Sequence, residues 1–176
     1  MASSNKSGKV GNPTRRDFLK ASTAAAAAVH FGPSLFAAGS DIIRVGMIGC
    51  GGRNTGAAAQ ALTADAGARL VAMCDIFMDR VKDKREVLRE EKGEQVAVDD
   101  EHCFAGFDGY KRVVESCDVV LIANAAKFHP LHTMTAIRAG KHVFVEKPHG
   151  IDPVGVKLMQ QAACLLYTSP SPRDRS

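Results

Sequence analysis

Six residues, Gly49-Cys50-Gly51-Gly52-Arg53-Asn54, follow directly on a β-rich run at residues 42–48 and open an Ala-rich stretch that reaches Ala64. A glycine turn set between a strand and a helix leaves few ways to fold. Gly49 permits the tight turn, and Gly51 lets the backbone come close to a pyrophosphate. The first N–H groups of the following helix, at the positive end of its dipole, are then free to hold that anion. The third position of a G-x-G-x-x-G pattern needs close packing of helix on strand, and here it is Asn54, with Gly52 and Gly56 beside it to relieve the crowding. A glycine turn that holds no ligand is the plain alternative.

Downstream, strands and helices alternate. Residues 69–74 read as a second strand and 77–91 as a charged helix with a solvated face. A short strand is expected around Phe104, then a helix capped by Asp108 and reaching Ser116. An unbroken apolar strand at 118–123, a helix at 130–139 and a strand at 142–145 follow. A last helix starts at Asp152-Pro153 and runs to Cys164. Buried runs rather than alternating ones argue a parallel sheet covered on both faces. The fold class is therefore α/β, a doubly wound parallel sheet of Rossmann type.

Asp75 ends the second strand, 21 residues beyond Asn54. A carboxylate there accepts hydrogen bonds from an adenosine ribose, and its charge repels a 2′-phosphate, which favours NAD over NADP. A helix cap is the ordinary alternative for a strand-end Asp.

The formal charge of +4 does not indicate nucleic acid, because its source is the two ends. Residues 41–164 hold 16 Lys and Arg against 17 Asp and Glu, so the folded part has no footprint for a polyanion. The five cysteines form no C-x-x-C pair and show no metal-ligand spacing with His, so no metal site is expected. Buried, reduced thiols are the expectation, with a Cys103–Cys117 disulfide as the alternative in an exported protein.

Residues 1–39 read as a targeting segment: Thr14-Arg15-Arg16-Asp17-Phe18-Leu19-Lys20 matches the twin-arginine export signature, and a weakly apolar run follows it. That run is too short for a membrane span, so the expectation is export, to the periplasm or another extracytoplasmic space, through the twin-arginine machinery. At the other end, residues 165–176 carry two prolines and no periodicity, and are expected to be a foreign or disordered tail. The folded part would then be residues 41–164.

From Ile43 to Gly155 the chain resembles the Gfo/Idh/MocA family of oxidoreductases. Three stretches carry the likeness: Ile48-Gly49-Cys50-Gly51-Gly52-Arg53, residues 118–129, and Ala139-Gly140-Lys141-His142-Val143-Phe144-Val145-Glu146-Lys147-Pro148. The resemblance implies NAD as cofactor and Lys147 as the catalytic residue, beside the nicotinamide, where it positions or deprotonates a substrate hydroxyl. A partly desolvated lysine can exchange a proton near neutrality. Glu146 would contact the cofactor region, and Pro148 would fix the turn through a cis bond. His129 matches a histidine of the loop after the fourth strand, near the nicotinamide. Asn124-Ala125-Ala126 stands where relatives have Thr-Pro and a polar residue, so Asn124 is placed among the cofactor contacts on a loop expected to be less stiff. His132, His142 and His149 read as structural or solvated.

The resemblance covers only an N-terminal half, truncated before an α+β C-terminal domain that would supply further catalytic residues. It implies an NAD-dependent oxidoreductase of a sugar, cyclitol or other polyol, active and homo-oligomeric at full length. The fragment alone is expected to be inactive, with an uncovered strand edge and apolar face. The alternatives are an NAD-dependent glycosidase of the same family type, and a non-catalytic dinucleotide-binding module. Lys147 argues against the last.

Overall fold

A computed structural model describes residues 42–168. The twin-arginine segment and residues 169–176 lie outside the described residues. The order is β1 (Ile43–Ile48), α1 (Gly52–Ala64), β2 (Ala68–Asp75), α2 (Met78–Lys92), β3 (Cys103–Ala105), α3 (Gly109–Ser116), β4 (Val119–Ile122), α4 (His129–Arg138), β5 (His142–Val145) and α5 (Pro153–Thr168), with short 3-10 turns at Gly93–Gln95 and Ala126–Phe128. The five strands form one parallel sheet in the order β3-β2-β1-β4-β5. Strand order reverses between β1 and β4, and that is where an open α/β sheet leaves a crevice at its C-terminal edge.

Side chains alternate along each strand, and both faces are buried. Met47, Leu70, Met73 and Leu121 join Leu62 of α1 and Val81 and Leu88 of α2 in one core. Ile48, Ala72, Val120 and Ile122 join Tyr110 and Val113 of α3 and Ala136 of α4 in the other. Register brings the strand ends level: Ile48 pairs with Cys74 and with Ile122, and Ile122 with Val145. Gly49, Asp75, Ala123 and Glu146 therefore emerge along a single edge, and the site is built there.

Cys103 and Cys117 are free, buried thiols in the cores on opposite faces of the sheet, as expected, and the alternative disulfide between them is not formed. Three expectations are corrected. Asp108 does not cap α3 with its side chain, because its carboxylate is paired with Lys111 at 2.7 Å. The charged run of α2 is solvated except at Arg85, which is buried and reaches Asp100 at 2.6 Å. The last helix does start at Asp152, whose Oδ1 accepts from Gly155 N–H at 2.6 Å, but it continues four residues past Cys164.

Candidate functional site

Gly49 has φ +93°, and a Cβ on it would lie 2.6 Å from Asn124 Cβ and 2.8 Å from Asn124 N. The ends of β1 and β4 touch at this point, so only glycine fits. The next residue, Cys50, is buried and donates its N–H to Asp75 Oδ2 at 2.8 Å. Burial, then the nearby Asp75 charge, pushes the Cys50 thiol up, and burial pushes Cys74 up to about 12, so neither thiol is a nucleophile near neutrality.

Gly51 then precedes α1 as its N-cap, with no side-chain cap bond, and the first turn holds no acid. A Cβ built on Gly51 or Gly52 meets nothing within 4 Å. First-turn N–H groups have no intrahelical partner. Here they border open space, which fits an anionic pyrophosphate.

Asn54 is fully buried, in the first turn of α1. Its Nδ2 lies 2.9 Å from Ile48 O, 2.9 Å from Gly49 O and 3.2 Å from Leu121 O. Where a third glycine would merely have left room, the amide staples the helix to the ends of β1 and β4. Its buried Oδ1 has no partner among the described residues.

A cleft of about 250 Å³ lies between the ends of β2, β3 and β4, and Asp75, Phe77, Arg80, Phe107, Asn124 and His132 are among its lining residues. Asp75 uses its second oxygen to accept from Phe77 N–H at 3.2 Å. One wall is aromatic: His132 stacks on Tyr110 with centroids 4.1 Å apart and on Phe128 at 5.8 Å, and Phe128 meets Phe107 at 5.9 Å. Asn124 Nδ2 lies 3.1 Å from His132 Nδ1, an arrangement that needs this ring nitrogen unprotonated. Burial, then the neighbouring His129, holds the His132 pKa down at about 4. The buried Asn124 Oδ1 has no partner among the described residues.

The Glu146-Lys147-Pro148 triplet leaves the end of β5, and the Lys147–Pro148 bond is cis. Glu146 N–H donates to Ile122 O at 2.8 Å, and its Oε2 receives both Nε and Nη2 of Arg53 at 2.8 Å. On the other side, Pro148 O lies 2.8 Å from His129 Nδ1, whose Nε2 is 3.0 Å from Asn124 O. Lys147 itself is exposed, with no ion pair or hydrogen bond among the described residues. Its neighbours are pinned and it is free. The desolvation anticipated for it is not supplied by residues 42–168.

The structure thus brings Gly49, Gly51, Gly52, Arg53, Asn54, Asp75 and Asn124 together at one edge, with Glu146 joined to them through Arg53. His129 lies beneath this edge, 1% exposed, and does not line the cleft. Sequence reasoning missed the cleft wall of Phe77, Arg80, Phe107, Tyr110, Phe128 and His132. The available signal was their place within ten residues of a strand's C-terminal end. Among the described residues no cluster of three or more His, Cys, Asp or Glu can hold a metal ion, and no helix is long and apolar enough to cross a membrane.

The twin-arginine translocation pathway signal sequence is matched over residues 12–29, which points to export. Glycosyl hydrolase family 109 protein 1 of Bacteroides fragilis is 33% identical over 111 residues, covering 61% of this chain and 23% of that protein. The chain therefore spans about a quarter of the length of this curated relative. Apo scyllo-inositol dehydrogenase of Lactobacillus casei superposes with a TM-score of 0.53 at 26% identity, over 70% of this chain and 33% of that one. Myo-inositol dehydrogenase of the same organism, in complex with NAD(H) and myo-inositol, gives a TM-score of 0.58 over 74% of this chain and 35% of that one; at 18% identity it speaks for the fold alone. The family model described as "Oxidoreductase family, NAD-binding Rossmann fold" matches residues 43–164, from the strand before the glycine turn to the helix after the Glu-Lys-Pro triplet, and the chain belongs to this Gfo/Idh/MocA family.

Proposed function

We propose that this chain is the cofactor-holding part of an exported oxidoreductase that uses NAD rather than NADP and acts on a sugar, cyclitol or other polyol. The observation that carries the reading is the triplet after β5, clamped at Glu146 by Arg53 and at Pro148 by His129 while Lys147 is exposed and unpaired among the described residues. Bound at this edge, NAD supplies the hydride acceptor. The α1 N–H groups and Arg53 hold its pyrophosphate, Asp75 accepts from its adenosine ribose, and the aromatic wall with Asn124 shapes the adenosine side. Lys147 takes the proton of the substrate hydroxyl as the carbinol carbon is oxidised. An exported enzyme works where free NAD is scarce. We therefore assign a cofactor loaded before export and retained through many turnovers.

Lys147→Ala in the enzyme is expected to lower kcat by roughly a hundredfold or more, with NAD affinity changed less than about twofold. Protein purified from the exported fraction without added cofactor is expected to keep NAD through extensive dialysis. An apo protein that turns over only with millimolar NAD, or a Lys147→Ala enzyme of native activity, overturns the reading.

The name of the Bacteroides fragilis relative favours a second reading, an NAD-dependent glycosidase in which oxidation is transient. Product analysis separates the two: a net-oxidised sugar against a hydrolysed glycoside.

A further inference from the structure

Arg53 is the second residue of α1, in the first turn, where the cofactor's pyrophosphate would sit. In the structure its guanidinium is engaged elsewhere. Nε and Nη2 both reach Glu146 Oε2 at 2.8 Å, and the cation lies 6.0 Å from the centre of the Phe144 ring. The pair joins positions 93 residues apart in the chain. Its two members differ in setting: the Glu146 side chain is 17% exposed and that of Arg53 is 52% exposed. The carboxylate is thus fixed near the sheet edge, while the cation on its long stem retains solvent-facing N–H groups. A guanidinium forms bidentate pairs with phosphate as readily as with carboxylate. Among the described residues Arg53 is Glu146's only ion-pair partner, and Glu146 directly precedes Lys147.

We propose that Glu146 and the cofactor's pyrophosphate compete for Arg53, so that cofactor binding draws the cation toward α1 and releases a carboxylate next to Lys147. The inference rests on the dinucleotide reading above and deepens it. Arg53 is a positioning residue that couples the occupied phosphate seat to the catalytic turn. Reciprocity follows from linkage: whatever factor the pyrophosphate costs the Arg53–Glu146 pair, Glu146 costs pyrophosphate binding. Glu146 therefore weakens cofactor binding, which is the reverse of what a cofactor ligand does. A brace that merely held the turn in shape would, when removed, loosen the site and weaken binding. The two roles differ in sign.

The test is calorimetric titration of the full chain with ADP, which carries the diphosphate and adenosine but no nicotinamide, across the cycle of native, Glu146→Gln, Arg53→Gln and the double variant. Glu146→Gln is expected to tighten ADP binding by roughly two- to fivefold, the range of a partly exposed ion pair. Arg53→Gln is expected to weaken it, and in that background Glu146→Gln changes nothing beyond about 1.5-fold, since the through-space repulsion left over is screened. Arg53→Lys, which keeps the charge without the fork, is expected to fall between native and Arg53→Gln. Thermal melts of each variant check that the fold is intact. Unchanged or weaker binding in Glu146→Gln overturns the proposal. Equal tightening in both backgrounds also overturns it, because plain repulsion then accounts for the effect without Arg53. Failure of the native chain to bind ADP sinks the dinucleotide reading itself, and this inference with it.

Discussion

Asp75 accepts a hydrogen bond at 2.8 Å from the backbone N–H of Cys50, so the residue assigned to the cofactor ribose also braces the glycine turn. Its substitutions should separate the two roles. Asp75→Asn keeps an acceptor for Cys50 N–H and removes the charge. We expect it to shrink the preference for NAD over NADP with little loss of stability. Asp75→Ala removes both, and we expect at least tenfold weaker NAD binding together with a stability loss of about 1–3 kcal/mol from the unpaired N–H. Paired titrations with NAD and NADP, and urea melts of the same variants, read the two effects.

Gly49→Ala introduces a Cβ at positive φ and within 3 Å of the Asn124 backbone. The conformation costs about 1–2 kcal/mol and the overlap about 1–3 kcal/mol more. Urea denaturation is expected to show a loss of about 3 kcal/mol, with cofactor binding weakened because β1 and β4 are pushed apart at the seat. Gly52→Ala, whose Cβ enters open space, is expected to leave stability nearly unchanged.

His129 joins Asn124 O to Pro148 O through one buried ring. A neutral imidazole carries one N–H and so donates to one of these carbonyls at a time. His129→Leu removes that donor, and a stability loss of about 1–3 kcal/mol is expected. His129→Gln, which restores one donor, is expected to recover part of it. In the enzyme both variants should lower kcat more than they raise KM, because Pro148 adjoins Lys147, the residue proposed to handle the proton. A kcat unchanged in His129→Leu would show that the lysine's posture does not depend on this tie.

His132 provides a pH dependence. Its folded pKa is about 4, against an ordinary value of 6.5. The unfolded chain therefore takes up a proton near pH 6.5 that the folded chain does not take up until about pH 4. Stability is full above pH 6.5 and is lost as pH falls through that window, by up to about 3 kcal/mol. His132→Phe, which keeps the stack on Tyr110, is expected to flatten the slope. Urea midpoints measured between pH 7 and pH 4.5 for the two proteins give the comparison.

The strands and most helix boundaries were legible because parallel strands buried on both faces read as unbroken apolar runs, and the glycine turn marks where the first one stops. The triplet was legible as a motif. Asn54 was not: its residue type signalled a departure, but three carbonyl partners from two strands exist only after β4 has paired with β1. The pairing of Arg53 with Glu146 escaped for the same reason, since nothing local links positions 93 residues apart. His132 was read as structural or solvated, and it is buried in the wall of the cleft. A lone histidine in a helix carries no sign of which face meets an aromatic partner. Asp108 misled in the opposite direction, because a residue with a strong capping preference found a lysine instead.

Four of the five cysteines are sealed in the two cores, and only Cys164 is exposed among the described residues. For a chain that bears an export signal, this arrangement sets an order of events. In an oxidising compartment an unfolded form would offer all five thiols to one another, and any disulfide formed between cysteines of opposite cores would block the sheet from closing. Once β1, β2, β3 and β4 have paired, those four sulfurs are buried. Completing the sheet while still in reducing surroundings therefore makes the thiols safe to carry outward. The packing that positions the glycine turn is also what would shield these thiols beyond a reducing cytoplasm.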